Sequence, residues 1–307
     1  MTRVLVTGGG GFIGSNLVRA LLESGDDVRV LDNFSTGNRD NLAGLEVEVV
    51  EGELRSYERV HTAVRGVELV FHLGALGSVL RSVQDPLTSN AVNVDGTLNV
   101  LLAARDEGVR RVVVSSSSSV SGTRRELPVT EDQPPDPLSP YGVAKLAAER
   151  YCVSFSRVYE SFESVVVRYF NVFGPRQSPF SQYAAVIPLF ITAIAAGEPI
   201  TIEGDGEQSR DFTYVSNVLD GTMRAADAAG VSGQIFNVAA SAPASVNHVA
   251  ETIGRILDRP VEKVFAPRRA GDIRDSWADI GRARESFGWK PSIGLEDGLR
   301  LTVDALA

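Results

Sequence analysis

A β-branched run that breaks into glycines constrains this chain more than any other stretch. Val4-Leu5-Val6-Thr7 has the make-up of a buried strand, and Gly8-Gly9-Gly10-Gly11-Phe12-Ile13-Gly14 follows at once. An amphipathic segment then reaches about Ser24, so the order is strand, tight turn, helix. Gly8, Gly11 and Gly14 fall three apart, where the backbone must turn sharply, approach a ligand and let the helix pack on the strand. Free N–H groups and the positive end of the helix dipole at such a turn favour a pyrophosphate. Val28-Arg29-Val30-Leu31 is the next strand and ends on Asp32, 18 residues past Gly14. A carboxylate there suits two ribose hydroxyls and repels a 2′-phosphate, so the spacing predicts a dinucleotide site that prefers NAD to NADP.

The rest of the first half repeats the alternation. Asn33, Phe34, Ser35, Thr36 and Gly37 read as a polar loop at the adenosine end. Val47–Val50 is a third strand, and Glu53 after it either accepts from an adenine amino group or is a solvated strand-end carboxylate. Leu69–Leu73 is a fourth strand with the unbroken apolar character of a buried parallel strand. The small residues Gly74 and Ala75 then leave room for a cofactor across the strand ends. Residues 86–105 carry apolar side chains at helical spacing and predict one long helix. Asn93 in its middle is either tolerated or orients a neighbour near the site. Arg111–Ser115 is a fifth strand that runs into five serines, Ser115 to Ser119. Such alternation implies an α/β fold, a Rossmann-type doubly wound parallel sheet, with ligands at the carboxyl ends of its strands.

After a proline-rich loop, Tyr141-Gly142-Val143-Ala144-Lys145 opens a helix running to about Tyr159. At i and i+4 the phenol and the ammonium share one helical face. Seven tyrosines and three lysines in 307 residues produce such a pair by chance only about 0.07 times. Val165–Tyr169 is a sixth strand. The regular alternation then fades, which predicts an NAD-binding part over 1–170 and a smaller mixed α/β substrate-binding region over 171–307, with segment 214–238 returning to the first sheet.

Composition narrows the partners. A net charge of −9 argues against nucleic acid or an anionic membrane as the main partner. One cysteine, Cys152, excludes a disulfide framework and reads as a core filler in a reducing cytosol. Histidines scattered at 61, 72 and 248 make no metal site. No signal-peptide pattern opens the chain and no apolar run reaches membrane-spanning length, so the expected location is cytoplasmic.

A serine at a strand end and a Tyr–Lys pair on the next helix suit alcohol oxidation beside a nicotinamide. Free tyrosine, with a pKa near 10, is a poor base at neutral pH. The neighbouring cation and an oxidised nicotinamide are expected to draw it down, with Ser117 orienting the reacting oxygen. Together with Thr7–Gly14, these residues resemble the extended short-chain dehydrogenase/reductases, in their nucleotide-sugar epimerase/dehydratase branch. The likeness covers essentially the whole chain. It tightens at Ala75–Pro86, Arg168–Gln177, Tyr183–Pro188 and Gly204–Phe212, where it is nearest to bacterial UDP-N-acetylglucosamine 4-epimerases, then to UDP-glucose 4-epimerases.

What the resemblance implies can be stated by position. Ser117, Tyr141 and Lys145 would be catalytic. The cofactor would touch Gly8, Gly11, Phe12, Ile13 and Gly14 in the turn, and Asp32, Asn33, Ser35, Thr36 and Gly37 after the second strand. Glu53, Leu54, Leu73, Gly74, Ala75, Asn93, Ser115 and Tyr169 would complete its contacts. Asn171 and Arg210 would hold a substrate diphosphate, where a planar cationic fork is apt. Arg269 and Asp272 would bind phosphate and ribose, and Val186 would line the uracil. Gly77, Ser78, Ser118, Asn171 and Gln177 would surround the hexose. Sugar 4,6-dehydratases of the branch usually place Asp-Glu after the catalytic Ser/Thr, and related decarboxylases a Glu, whereas Ser118 and Ser119 stand here without a carboxylate. Ser276 occupies a position where a bulky tyrosine excludes an N-acetyl group in some members. The expected activity is NAD-dependent 4-epimerisation of a UDP-hexose by a homodimer. The alternatives are UDP-glucuronate 4-epimerisation, 4-keto reduction, or a non-catalytic cofactor sensor.

Overall fold

The computed structural model describes residues 1–122, 126–179, 185–268 and 273–306. Its centre is a parallel sheet built from β1 (Arg3–Thr7), β2 (Asp27–Asp32), β3 (Glu48–Glu51), β4 (Leu69–His72), β5 (Arg111–Ser117), β6 (Glu163–Tyr169) and the strand Ile235–Val238. Across the sheet the order is Ile235–Val238, β6, β5, β4, β1, β2, β3, which makes seven strands among the described residues. Every adjacent pair is parallel. Helices α1 (Phe12–Glu23), α2 (Tyr57–Val64), α5 (Gly96–Asp106), α6 (Pro140–Val158) and α8 (Val215–Asp227) cover its two faces.

Alternation along each strand divides the core in two. Val4 and Val6 point to the side that holds Leu17, Leu21, Val218, Phe236 and Trp289. Leu5 points to the other, with Val70, Leu101, Val112, Cys152 and Phe155. Two buried faces favour apolar side chains, so these strands read as nearly continuous apolar runs, and the polar groups they do bury, such as His72 and Arg168, are hydrogen-bonded.

From β1 the chain winds outward through β2 and β3, then crosses back to β4 and winds the other way. The carboxyl ends of β1 and β4 therefore face each other across a reversal point, where a crevice opens above the sheet. The stretch expected as one helix over 86–105 is interrupted. α4 (Pro86–Asn90) leads into a π-helical turn at Ala91–Asp95 before α5 begins, and periodicity alone does not reveal such a one-residue insertion. Ahead of it lies the short α3 (Val79–Gln84), which packs on α4 and α6.

Beyond β6 the chain builds smaller pieces and then returns to the sheet. Ile200–Glu203 pairs in parallel with Lys263–Ala266, while Ser209–Arg210 lies between Ala244–Ser245 and Asp275–Ser276. Helices α7 (Val186–Ala196), α9 (Val246–Leu257), α10 (Gly281–Phe287) and α11 (Leu295–Leu306) complete this part. α8 packs on β5 and β6, and Ile235–Val238 joins the edge of β6.

Candidate active site

The crevice above the reversal point has a volume of about 580 Å³, within the range of about 300–1,000 Å³ usual for small-molecule and cofactor sites. One wall is the glycine turn. Gly8 has φ +73°, and a Cβ there would lie 2.8 Å from Gly74 Cα. A Cβ on Gly14 would lie 2.1 Å from the Gly8 carbonyl oxygen, closer than non-bonded atoms approach. Asp32 fastens this turn to the next loop: its Oδ2 accepts from Gly10 N at 2.8 Å and its Oδ1 from Phe34 N at 2.8 Å.

The opposite wall is the end of β5 and the start of α6. Ser139 caps α6 by accepting from Gly142 N at 3.1 Å, and Pro140 occupies its first position. Tyr141 N donates to the fully buried Ser82 Oγ at 3.0 Å, so α3 anchors the backbone that carries the phenol. Lys145 is buried, and its Nζ donates to the Ser115 carbonyl at 2.9 Å. Ser117 Oγ accepts from Ser119 N at 3.1 Å and lies 3.1 Å from Ser119 Oγ.

Electrostatics at this wall differ from the expectation. Burial pushes the Tyr141 phenol above its ordinary value, and the opposing pull comes from a hydrogen bond with Ser117 rather than from Lys145. Burial also draws the Lys145 ammonium down to about 8. In this protein alone the phenol is therefore held protonated, because desolvation penalises the phenolate more than one hydrogen bond favours it.

Behind the crevice runs a chain of hydrogen bonds that the sequence reading did not contain. Thr97 Oγ1 donates to Asn93 O at 2.7 Å, so it must accept from His72 Nε2 at 3.0 Å. His72 Nδ1 is then the acceptor for Thr7 Oγ1 at 2.7 Å, which in turn accepts from Gly74 N at 3.0 Å. The ring is thus neutral with its proton on Nε2, and burial, helped by the Lys145 charge, lowers it to about 3. Asn93 belongs to the same support. It is 2% exposed, and its Oδ1 accepts from Leu76 N at 2.8 Å while its Nδ2 donates to Leu76 O at 3.2 Å. Asn93 thus orients a neighbour at the site, as one of the two readings of its place in the helix expected, with its amide on Leu76 at the back of the wall.

A comparison with known proteins then decides the family. The pattern of the NAD dependent epimerase/dehydratase family matches residues 4–239. The chain belongs to that family. A UDP-glucose 4-epimerase of Mycolicibacterium smegmatis is 40% identical over 98% of this chain and 97% of its own length. The crystal structure of a UDP-glucose 4-epimerase from Thermotoga maritima, with UDP-glucose, superimposes with a TM-score of 0.95 at 36% identity, covering 99% and 98% of the two chains. A UDP-N-acetylglucosamine 4-epimerase from Methanobrevibacter ruminantium, in complex with UDP-N-acetylmuramic acid, does so with a TM-score of 0.94 at 38% identity and the same coverage.

The crevice of this epimerase/dehydratase-family protein fits NAD. Its turn is a cradle that a single Cβ would fill, and the Asp32 carboxylate stands at the end of β2 beside it. Gly8, Gly11, Phe12, Ile13, Gly14, Asp32, Asn33, Ser35, Thr36, Gly37, Glu53, Leu54, Leu73, Gly74, Ala75, Ser115, Tyr141, Lys145 and Tyr169 all line it. Tyr169 donates its hydroxyl to Thr222 Oγ1 at 2.8 Å, because Thr222 already donates to Val218 O, so that hydroxyl is committed to α8. Gly77, Ser117, Ser118, Asn171 and Gln177 line the same crevice. Asn171 holds φ +32°, an uncommon backbone that asparagine tolerates better than most residues.

Ser78, Val186, Arg210 and Ser276 stand outside the wall. Ser78 caps α3 by accepting from Arg81 N, and Val186 opens α7 just after the lining residue Ala185. Arg210 and Ser276 are register partners in the small ribbon, where Arg210 Nη1 donates to Arg274 O at 2.9 Å. Arg269 and Asp272 lie outside the described residues. Among the described residues, no group of three or more His, Cys, Asp or Glu is placed to hold a metal ion, and no helix is long and apolar enough to cross a membrane.

Proposed function

We propose that this NAD-dependent nucleotide-sugar 4-epimerase acts on a UDP-hexose, with UDP-GlcNAc and UDP-GalNAc ahead of UDP-Glc and UDP-Gal. The observation that supports the chemistry is the convergence of Ser117, Tyr141 and Lys145 on one wall of the crevice, across from the glycine turn. Bound NAD⁺ supplies a hydride acceptor that takes the C4 hydrogen of the sugar and hands it back. The Tyr141 phenolate, which burial alone disfavours, would be favoured by the positive ring of bound NAD⁺. In that form Tyr141 would remove the C4 hydroxyl proton as the alcohol becomes a ketone, and return it when the alcohol forms again with the opposite configuration. Ser117 holds the C4 oxygen in place throughout. Lys145, fixed on the Ser115 carbonyl, is within the crevice for the cofactor's ribose hydroxyls. Asn171 and Arg210 would keep the diphosphate while the flat 4-keto sugar turns over. The reading excludes elimination of water and loss of carbon dioxide, because Ser118 and Ser119 stand beside Ser117 without a carboxylate to serve as acid or base.

The preference for N-acetyl sugars rests on the resemblance alone, in which the position of Ser276 carries a bulky tyrosine in members that exclude an N-acetyl group. Support for a homodimer is an apolar surface on the mutually packed α3, α4 and α6, where Leu87 is 83% exposed and Val83 and Val143 are also exposed. The decisive experiment incubates the purified protein, without added cofactor, with UDP-GlcNAc, UDP-Glc and UDP-glucuronate in turn and follows inversion at C4. Fastest turnover of UDP-GlcNAc is expected. The Tyr141→Phe variant should lose turnover by more than about a hundredfold yet still bind the nucleotide sugar. A wild-type protein that reduces a 4-keto sugar once per added NADPH, or inverts none of the three, refutes the reading.

A further inference from the structure

Glu149 lies one helical turn past Lys145 and two past Tyr141 on α6, and the reaction above makes no use of it. It is fully buried, and its partner Arg168 is 2% exposed. Glu149 Oε1 accepts from Ser116 Oγ at 2.6 Å and from Arg168 Nε at 2.7 Å, while Oε2 accepts from Arg168 Nη2 at 2.8 Å. Each partner adjoins the site. Ser116 precedes Ser117 on β5, Arg168 precedes Tyr169 on β6, and Ser116 and Arg168 are register partners in the sheet. A single carboxylate therefore joins the helix that carries the phenol and the ammonium to both strands packed beside it.

Stability alone is a poor reason for this arrangement, since replacing a buried ion pair by apolar side chains of similar volume is often neutral or stabilising. We propose that Glu149 is a positioning residue of the epimerase reaction, which with Ser116 and Arg168 sets Ser117, Tyr141 and Lys145 relative to one another and keeps a negative charge behind the Lys145 ammonium. The inference rests on the epimerase reading. Around Lys145 stand Tyr141, Glu149 and Cys152 on α6, His72 on β4 and the Ser115 carbonyl on β5, with Arg168 on β6 bound to Glu149. His72 is neutral, and burial keeps the Cys152 thiol protonated. Of these groups Glu149 is the anion, and it opposes the desolvation that draws Lys145 down to about 8.

The test is Glu149→Gln, which keeps the shape and removes the charge. We expect kcat to fall by about a hundredfold, the cost of a site misplaced by about 1 Å, with KM for the UDP-hexose near that of wild type. The alkaline fall of kcat should move to lower pH. With three lysines in the chain, NMR of carbon-13-labelled lysine follows Lys145 directly, and its titration should move the same way. The paired change Glu149→Leu with Arg168→Met spares the molecule an unpaired buried cation, so it folds even if the single variant does not. It should melt no lower than wild type while keeping the depressed kcat and the shifted alkaline limb. Wild-type kcat and pH profile in either variant, or an unmoved Lys145 titration, overturn the inference. A wild-type protein with no epimerase turnover in the same assay instead sinks the reading beneath it.

Discussion

Lowering the pH should weaken this protein through His72 in a way that one substitution can isolate. The imidazole is enclosed between Thr7 and Thr97 with both ring nitrogens occupied, and burial holds it near 3 against an ordinary 6.5. Below pH 6.5 the unfolded chain takes up a proton that the folded one refuses. The site's contribution is therefore whole above pH 6.5 and is lost as the pH falls toward 3. Each pH unit in that window removes about 1.4 kcal/mol, or about 2 kcal/mol between pH 6.5 and about pH 5, against a total of about 5–15 kcal/mol for a typical protein. His72→Gln keeps an acceptor and a donor but has nothing to titrate. It costs stability at neutral pH, yet its deficit should narrow by about 2 kcal/mol between pH 6.5 and about pH 5. Urea unfolding of both proteins across this range measures the difference, in which all other titrating groups cancel. Parallel stability curves would refute the reasoning, as would an NMR titration of His72 centred near 6.5.

Two further outcomes follow from the geometry. Gly14→Ala should destabilise by about 1–3 kcal/mol, although alanine is favoured over glycine inside helices by about 1 kcal/mol, because the new Cβ would press on the Gly8 carbonyl oxygen; the NAD released per chain on denaturation should drop with it. The exposed apolar surface on α3, α4 and α6 should be covered in solution, so sedimentation should report twice the chain mass of 32.9 kDa, and Leu87→Arg should return the single-chain value.

What could be read from the chain beforehand was whatever depends on spacing within a dozen or two residues. The glycine turn, the acid ending β2 and the Tyr141–Lys145 pair are of this kind, and the crevice gathers them. The state of the Tyr141 phenol was not legible, because it is set by burial and by Ser117, which comes from another element. The contact between His72 and Thr97 spans 25 residues and that between Tyr141 and Ser82 spans 59, distances over which no periodicity carries a signal. Only an unexplained polar residue in an apolar pattern hinted at them, as Asn93 did. Two-residue strands such as Ser209–Arg210 and Asp275–Ser276 are too short to announce themselves at all.

The edge strand Ile235–Val238 has a bearing on how the protein is made. It arrives more than sixty residues after β6, its only neighbour in the sheet among the described residues. Until it does, a newly synthesised chain presents Val165, Val166 and Val167 beside a row of open backbone donors and acceptors, a ready template for another copy. A chain halted before residue 235 already contains every member of the Ser–Tyr–Lys group. Its fate on the ribosome is decided elsewhere, by whether that bare margin meets its own missing strand or a neighbour's.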